Sequence, residues 1–165
     1  MCGFSLRVAD NDLLSGLLND PSSKVRRKTC EALLRADLQL KPTQLTHLLK
    51  SPDPIEAATA RRLLERIDAS KWQAEMVDSQ DVRLFLNSSL ALMTAQPSLE
   101  RAYSVLAEGS KALEGFLSDE DFLDLLRVIQ VTLSQGKVES AKIPAFVERL
   151  GDCLLYTSPS PRDRG

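Results

Sequence analysis

At 165 residues the chain has the length of one domain, able to bury about two-thirds of its unfolded surface. A composition of 43% hydrophobic and 27% charged residues excludes a disordered polymer, and a net charge of −2 gives no electrostatic basis for a general nucleic-acid binder. Aromatics make up only 5%, so the apolar surface is expected on aliphatic helix stripes rather than in a β-sandwich.

In chain order, residues 10–19 (DNDLLSGLLN) place Leu13, Leu14, Leu17 and Leu18 at helical spacing behind a cap at Asp10 or Asn11. Asp20-Pro21-Ser22-Ser23 reads as a turn. KVRRKTCEALLRAD follows as a second helix, with Val25, Thr29, Ala32, Leu33 and Ala36 on one face and its charges on the rest. Residues 45–68 then repeat 14–37 with an offset of 31: Leu14, Leu17, Leu18, Pro21, Leu33, Arg35 and Asp37 fall on Leu45, Leu48, Leu49, Pro52, Leu64, Arg66 and Asp68. In the second copy Asp53 is a cap and Pro54 suits the first helical position. Internal repetition of helix pairs predicts a solenoid, each pair burying its apolar face on its neighbours.

A third unit is expected from Ser70-Lys71-Trp72-Gln73, read as a capping box, and from a helix with Val82, Phe85, Leu86, Leu90 and Met93 inward that ends at Pro97. Beyond it the register is lost. Residues 98–117 predict one or two helices around Gly109. Ser118 with Asp121 caps the longest amphipathic helix, which buries Phe122, Leu125, Leu126, Ile129 and Leu133 and stops at Gly136. A last short helix begins near Pro144. No segment carries the alternation of a hairpin, so the fold class is all-α.

The block DPSSKVRRKTCEALLRAD resembles the HEAT-like repeat: an apolar helix, an Asp-Pro turn, and a second helix that opens with Val-Arg. Asp81-Val82-Arg83 repeats that signature, whereas the middle unit has Ile55-Glu56 in its place. The resemblance implies an α-α superhelix, a solenoid of antiparallel helix pairs over 1–152. Its repeats fall at about 10–37, 41–68 and 70–96, with irregular helices over 98–151. It also implies that Val25 plugs the seam between helices and that Arg26 reaches back to the turn.

Catalytic chemistry finds no support. The single histidine, His47, sits in an apolar run and is read as structural or solvent-facing. It also argues against the iron-dependent HEAT-like hydroxylases, whose metal ligands are repeated His-Glu pairs. The acids Asp119, Glu120, Asp121 and Asp124 are read as complementing a helix start. Cys2, Cys30 and Cys153 lack metal-ligand spacing, and Cys30 is expected buried on its helix. No catalytic, cofactor-binding or metal-binding residue is therefore assigned, and neither a membrane span nor a signal peptide is read.

The candidate partner-binding residues are Lys24, Arg27, Lys28, Arg61 and Arg62, expected along the groove of the solenoid, with Trp72 as an aromatic anchor. They predict a non-catalytic scaffold binding a protein or peptide. The alternative is a nucleic-acid-binding or repair protein of the HEAT-like DNA glycosylase type. A HEAT-like chromophore lyase is a third option, without further residues to support it. Finally, CLLYTSPSPRD matches the translated mosaic end and read-through adapter of a transposase-made sequencing library. That predicts a non-native, disordered tail over 153–165 on a fragment of a larger bacterial repeat protein.

Overall fold

A computed structural model describes residues 8–36, 38 and 40–157. All regular elements among them are helical: α1 (Val8–Leu17), α2 (Ser23–Ala36), α3 (Thr46–Leu49), α4 (Pro54–Leu64), α5 (Gln73–Val77), α6 (Val82–Ala95), α7 (Leu99–Ala112), α8 (Asp119–Gly136) and α9 (Pro144–Thr157). Short 3₁₀ turns at Pro42–Gln44, Ala69–Lys71 and Ser140–Lys142 precede α3, α5 and α9. The chain divides into two compact units, residues 1–96 and 97–165, at the point where the sequence repeat loses register.

Local chemistry explains the helix starts. Asp53 accepts from the Ile55 and Glu56 amides at 2.9 and 3.3 Å, with Pro54 at the first helical position. Asp81 accepts from Leu84 N at 3.0 Å, and Ser118 from Asp121 N at 3.1 Å. Each such cap is worth about 1 kcal/mol. The turns before α4 and α6 share a serine lock, since Ser51 and Ser79 each accept from the amide two residues on, Asp53 and Asp81, at 3.1 Å. Ser70 does not cap as expected. Asp68 accepts from Ser70 N at 2.9 Å instead, because a 3₁₀ turn over Ala69–Lys71 puts the cap two residues earlier.

In the first unit α1 packs on α2, α3 on α4 and α5 on α6, while α4 touches both α2 and α6. Leu33, Leu48, Leu49, Leu64, Trp72 and Met76 are buried among these helices. Side chains of one pair cap the carbonyls of the pair before it. The His47 Nε2–H donates to Leu18 O at 2.9 Å, and Asn87 Nδ2 donates to Leu49 O at 2.9 Å. Leu18 and Leu49 are equivalent under the 31-residue offset, so the same orphan carbonyl is satisfied twice. At the ends of the second helices Arg66 Nη1 donates to Leu34 O at 2.6 Å and Gln96 Nε2 to Ile67 O at 3.1 Å. His47 is thus structural.

Val25 is not the seam residue: it is exposed, and Thr29, Cys30 and Leu33 form the buried stripe of α2. Arg26 lies on that inward face, paired with a buried acid described below, and Val25, 100° from it around the helix, turns outward.

In the second unit α7 packs against α8 and α9. Gly109 lies within a single continuous α7, where it is buried. Gly136 is the last helical residue of α8, and the left-handed position after it falls on Lys137 (φ 53°), a conformation disfavoured by about 1 kcal/mol or more without glycine. Helix α9 runs to Thr157, five residues into the segment expected to be a disordered tail. Phe146, Leu150 and Cys153 recur on one face there, so the helical stripe outlasts Asp152. Residues 158–165 lie outside the described residues.

Candidate interaction surface

The α2 stripe is built by spacing. At 100° per residue, Lys24, Arg27, Lys28, Glu31 and Arg35 fall within an arc of about 100° on the side of α2 opposite Thr29, Cys30 and Leu33. Lys24, Lys28 and Arg35 are exposed. Glu31 pairs with Lys28 at 2.7 Å and lies 3.8 Å from Arg35. The hydrogen bond from Lys28 holds the Glu31 carboxyl below its usual range against the opposing effect of burial, with added attraction from the charges of Lys28, Arg35 and Arg27. One carboxylate thus serves three cations. Arg27 Nε is buried, with no hydrogen-bond partner among the described residues.

On α4 the outer face is different. Arg62 is exposed and pairs with Glu65 at 2.9 Å, and Ile55 on the same face is 55% exposed. Arg61 lies on the flank, 17% exposed and 3.6 Å from the same Glu65. Of the sequence-derived set, Lys24, Arg27 and Lys28 therefore come together, Arg62 stands on the neighbouring helix, and Arg61 is turned aside. Trp72 is not an anchor. It is 2% exposed and its Nε1–H donates to Ile67 O at 3.2 Å, so it belongs to the core. Arg35 completes the stripe at i+7 from Lys28, a spacing plain in the sequence.

Below the stripe, Arg26 reaches inward. Its Nε and Nη2 donate to Glu56 Oε1 and Oε2 at 2.6 and 3.0 Å, and its Nη1 donates to the Asp20 and Pro21 carbonyls at 2.7 and 3.1 Å. Glu56 also accepts from Ser51 Oγ and is 0% exposed, whereas the Arg26 side chain is 20% exposed. The hydrogen bond to Glu56 raises the Arg26 pKa against the opposing effect of burial. This pair holds α2 to the start of α4 and so fixes which way the outer faces of both helices point.

Compared with known protein families, curated proteins and solved structures, the chain has no match.

The rest of the described surface offers no reactive constellation. No group of three or more His, Cys, Asp or Glu side chains among the described residues is placed to hold a metal ion, and no helix among them is long and apolar enough to cross a membrane. A concavity of about 430 Å³ in the second unit is walled mainly by Leu113, Phe116, Leu117 and Phe122. Its arginine, Arg149, is already engaged by Ser110 Oγ at 3.0 Å and by Glu114.

Cys30 is similarly closed to chemistry. Burial, followed by the nearby Glu56 charge, pushes its thiol up to about 12. The folded protein therefore keeps a proton that the unfolded chain, with an ordinary thiol near pKa ~8.5, gives up. Stability drains as pH rises between those two values, by up to about 1.4 kcal/mol per pH unit. We expect Cys30 to resist iodoacetamide at pH 7.5 under native conditions while half-buried Cys153 reacts, as read by peptide mass mapping. Above pH 9 the stability difference between the parent and Cys30→Ala should shrink at about that rate, and a constant difference refutes the shifted thiol.

Proposed function

We propose that the chain is a non-catalytic α-solenoid interaction module of the HEAT-like type, which holds a protein or peptide partner along the outer faces of α2 and α4. The observation that carries this reading is the α2 stripe: exposed Lys24, Lys28 and Arg35, with half-buried Arg27 between them, on one arc with Glu31 as their single acid, and exposed Ile55 on α4. Cations in such excess favour an acidic partner and speed its encounter, and the neighbouring aliphatic side chain supplies an apolar contact. Binding is by complementarity alone.

Reversal of exposed charges tests it without disturbing the core. Lys28→Glu with Arg35→Glu, or Arg62→Glu, should weaken binding to an acidic peptide array by about tenfold or more, with the thermal midpoint nearly unchanged. Unaltered binding in both variants overturns the assignment.

The same cations make a HEAT-like nucleic-acid binder the second reading, because phosphates answer to the same charge. Against it stand Glu31 and Glu65 within the rows and the lack of any aromatic residue in α2 or α4 on which a base would stack. Absence of a low-salt gel shift removes this second reading.

A further inference from the structure

We propose that the partner of the α2 stripe is a second copy of this chain, which docks through the acidic start of α8 in a head-to-tail contact. The inference rests on the interaction reading above and names its occupant.

Two exposed helical surfaces of this molecule match in spacing and oppose in charge. On α2, Lys24, Arg27 and Lys28 stand at i, i+3 and i+4, followed by Arg35 almost two turns further along. On α8, Glu120, Leu123 and Asp124 stand at the same i, i+3 and i+4 spacing, preceded by Asp119. All four α8 side chains are exposed, and Leu123 is 65% so. The loop that leads into α8 presents Phe116 at 96% exposure, the most exposed large apolar side chain among the described residues. As its counterpart the first unit offers two exposed aliphatic side chains, Val25 and Ile55, near the starts of α2 and α4.

Both surfaces therefore combine a charge row with aliphatic or aromatic contact area, and the signs are complementary. Simple counterion pairing explains the charges on each surface but not the exposed Phe116 and Leu123 on one and Ile55 on the other. Phe116 is not isolated, because with Leu113, Leu117 and Phe122 it walls the apolar concavity by the start of α8, and contiguous apolar surface rimmed by charge marks an association site. Because the two surfaces are unlike patches, a single such contact is heterologous. Its repetition builds open chains, or rings if the rotation closes.

Sedimentation velocity of the full chain over a range of concentrations tests this. At about 50 mM salt the weight-average mass should rise above that of the monomer with concentration. At about 500 mM salt, where screening shortens to a few ångströms, the dissociation constant should rise roughly tenfold or more. Lys28→Glu/Arg35→Glu alone should be monomeric, since acid then faces acid, and Glu120→Lys/Asp124→Lys alone should be monomeric for the opposite reason. Mixing the two variants should restore association, because each reversed surface then meets its complement. A parent chain that stays monomeric at every concentration and salt overturns the inference, as does association that neither double variant weakens. If the parent is monomeric yet binds acidic peptides through the stripe, the self-docking fails while the interaction reading stands. If the variants change neither behaviour, both fail together.

Discussion

Arg26→Met should lower the unfolding free energy by about 3–5 kcal/mol, the largest loss expected from any single charged side chain here. Glu56 is 0% exposed and is bonded by Arg26 and Ser51, so removing the guanidinium leaves a buried carboxylate with one hydroxyl donor. Glu56→Ala should be less damaging. The Arg26 side chain is 20% exposed, and its Nη1 keeps the Asp20 and Pro21 carbonyls as acceptors. The double variant Arg26→Met/Glu56→Leu removes both charges and refills the space, so it should recover most of the loss. Chemical denaturation of the four proteins measures the coupling. Additive losses would show that the two side chains act independently and would refute the buried pair.

That pair also shows where sequence reasoning reached and where it stopped. The local half of the network was legible: an arginine one turn into α2, with an Asp-Pro turn behind it, was expected to reach back to the turn, and Arg26 does so. The long-range half stands out in the sequence only as a departure from the pattern. By motif Ile55-Glu56 takes the place of Val-Arg, whereas the 31-residue offset is one residue out of step with that and aligns Glu56 with Val25 and Ala57 with Arg26. An acid at an apolar register position is itself a signal, because a buried carboxylate requires a cation. Which cation depends on how α2 lies against α4, and helical periodicity within one element carries no such information.

Other differences have the same origin. Periodicity identified the helices and the caps Asp53, Asp81 and Ser118 use contacts within a few residues of themselves. It does not set helix rotation, so Cys30 and not Val25 fills the α2 seam. Among the candidate binding residues, Lys24, Arg27 and Lys28 share one helix, and their common face follows from spacing alone. Arg61 and Arg62 are adjacent in sequence but 100° apart on α4, so only Arg62 faces outward with the stripe of its helix. The carbonyl caps from His47, Asn87, Arg66 and Gln96 join residues 29 to 38 positions apart and are invisible to any local rule.

Trp72→Ala should cost about 3–5 kcal/mol, comparable to losing Arg26 but by a different route. The indole is 2% exposed, so truncation opens a cavity beside the α5–α6 pair, and the surrounding aliphatic side chains close it only in part. Trp72→Phe separates volume from polarity. It removes the Nε1–H donor to Ile67 O, yet Gln96 Nε2 donates to the same carbonyl at 3.1 Å, so that oxygen stays satisfied. The cost should then be near 1–2 kcal/mol, set mainly by the lost ring. Adding Gln96→Ala leaves the carbonyl with neither donor and frees Ala69 N from Gln96 Oε1, so the double loss should exceed the sum of the singles by roughly 1 kcal/mol. Circular dichroism follows all four proteins, since the phenylalanine variants lack the sole tryptophan. The same series separates core from anchor. If Trp72 served a partner directly, Trp72→Phe would weaken binding while leaving the fold intact. A core indole predicts the reverse: binding by Trp72→Phe stays at parental strength well below its unfolding midpoint, and is lost only as the first unit unfolds.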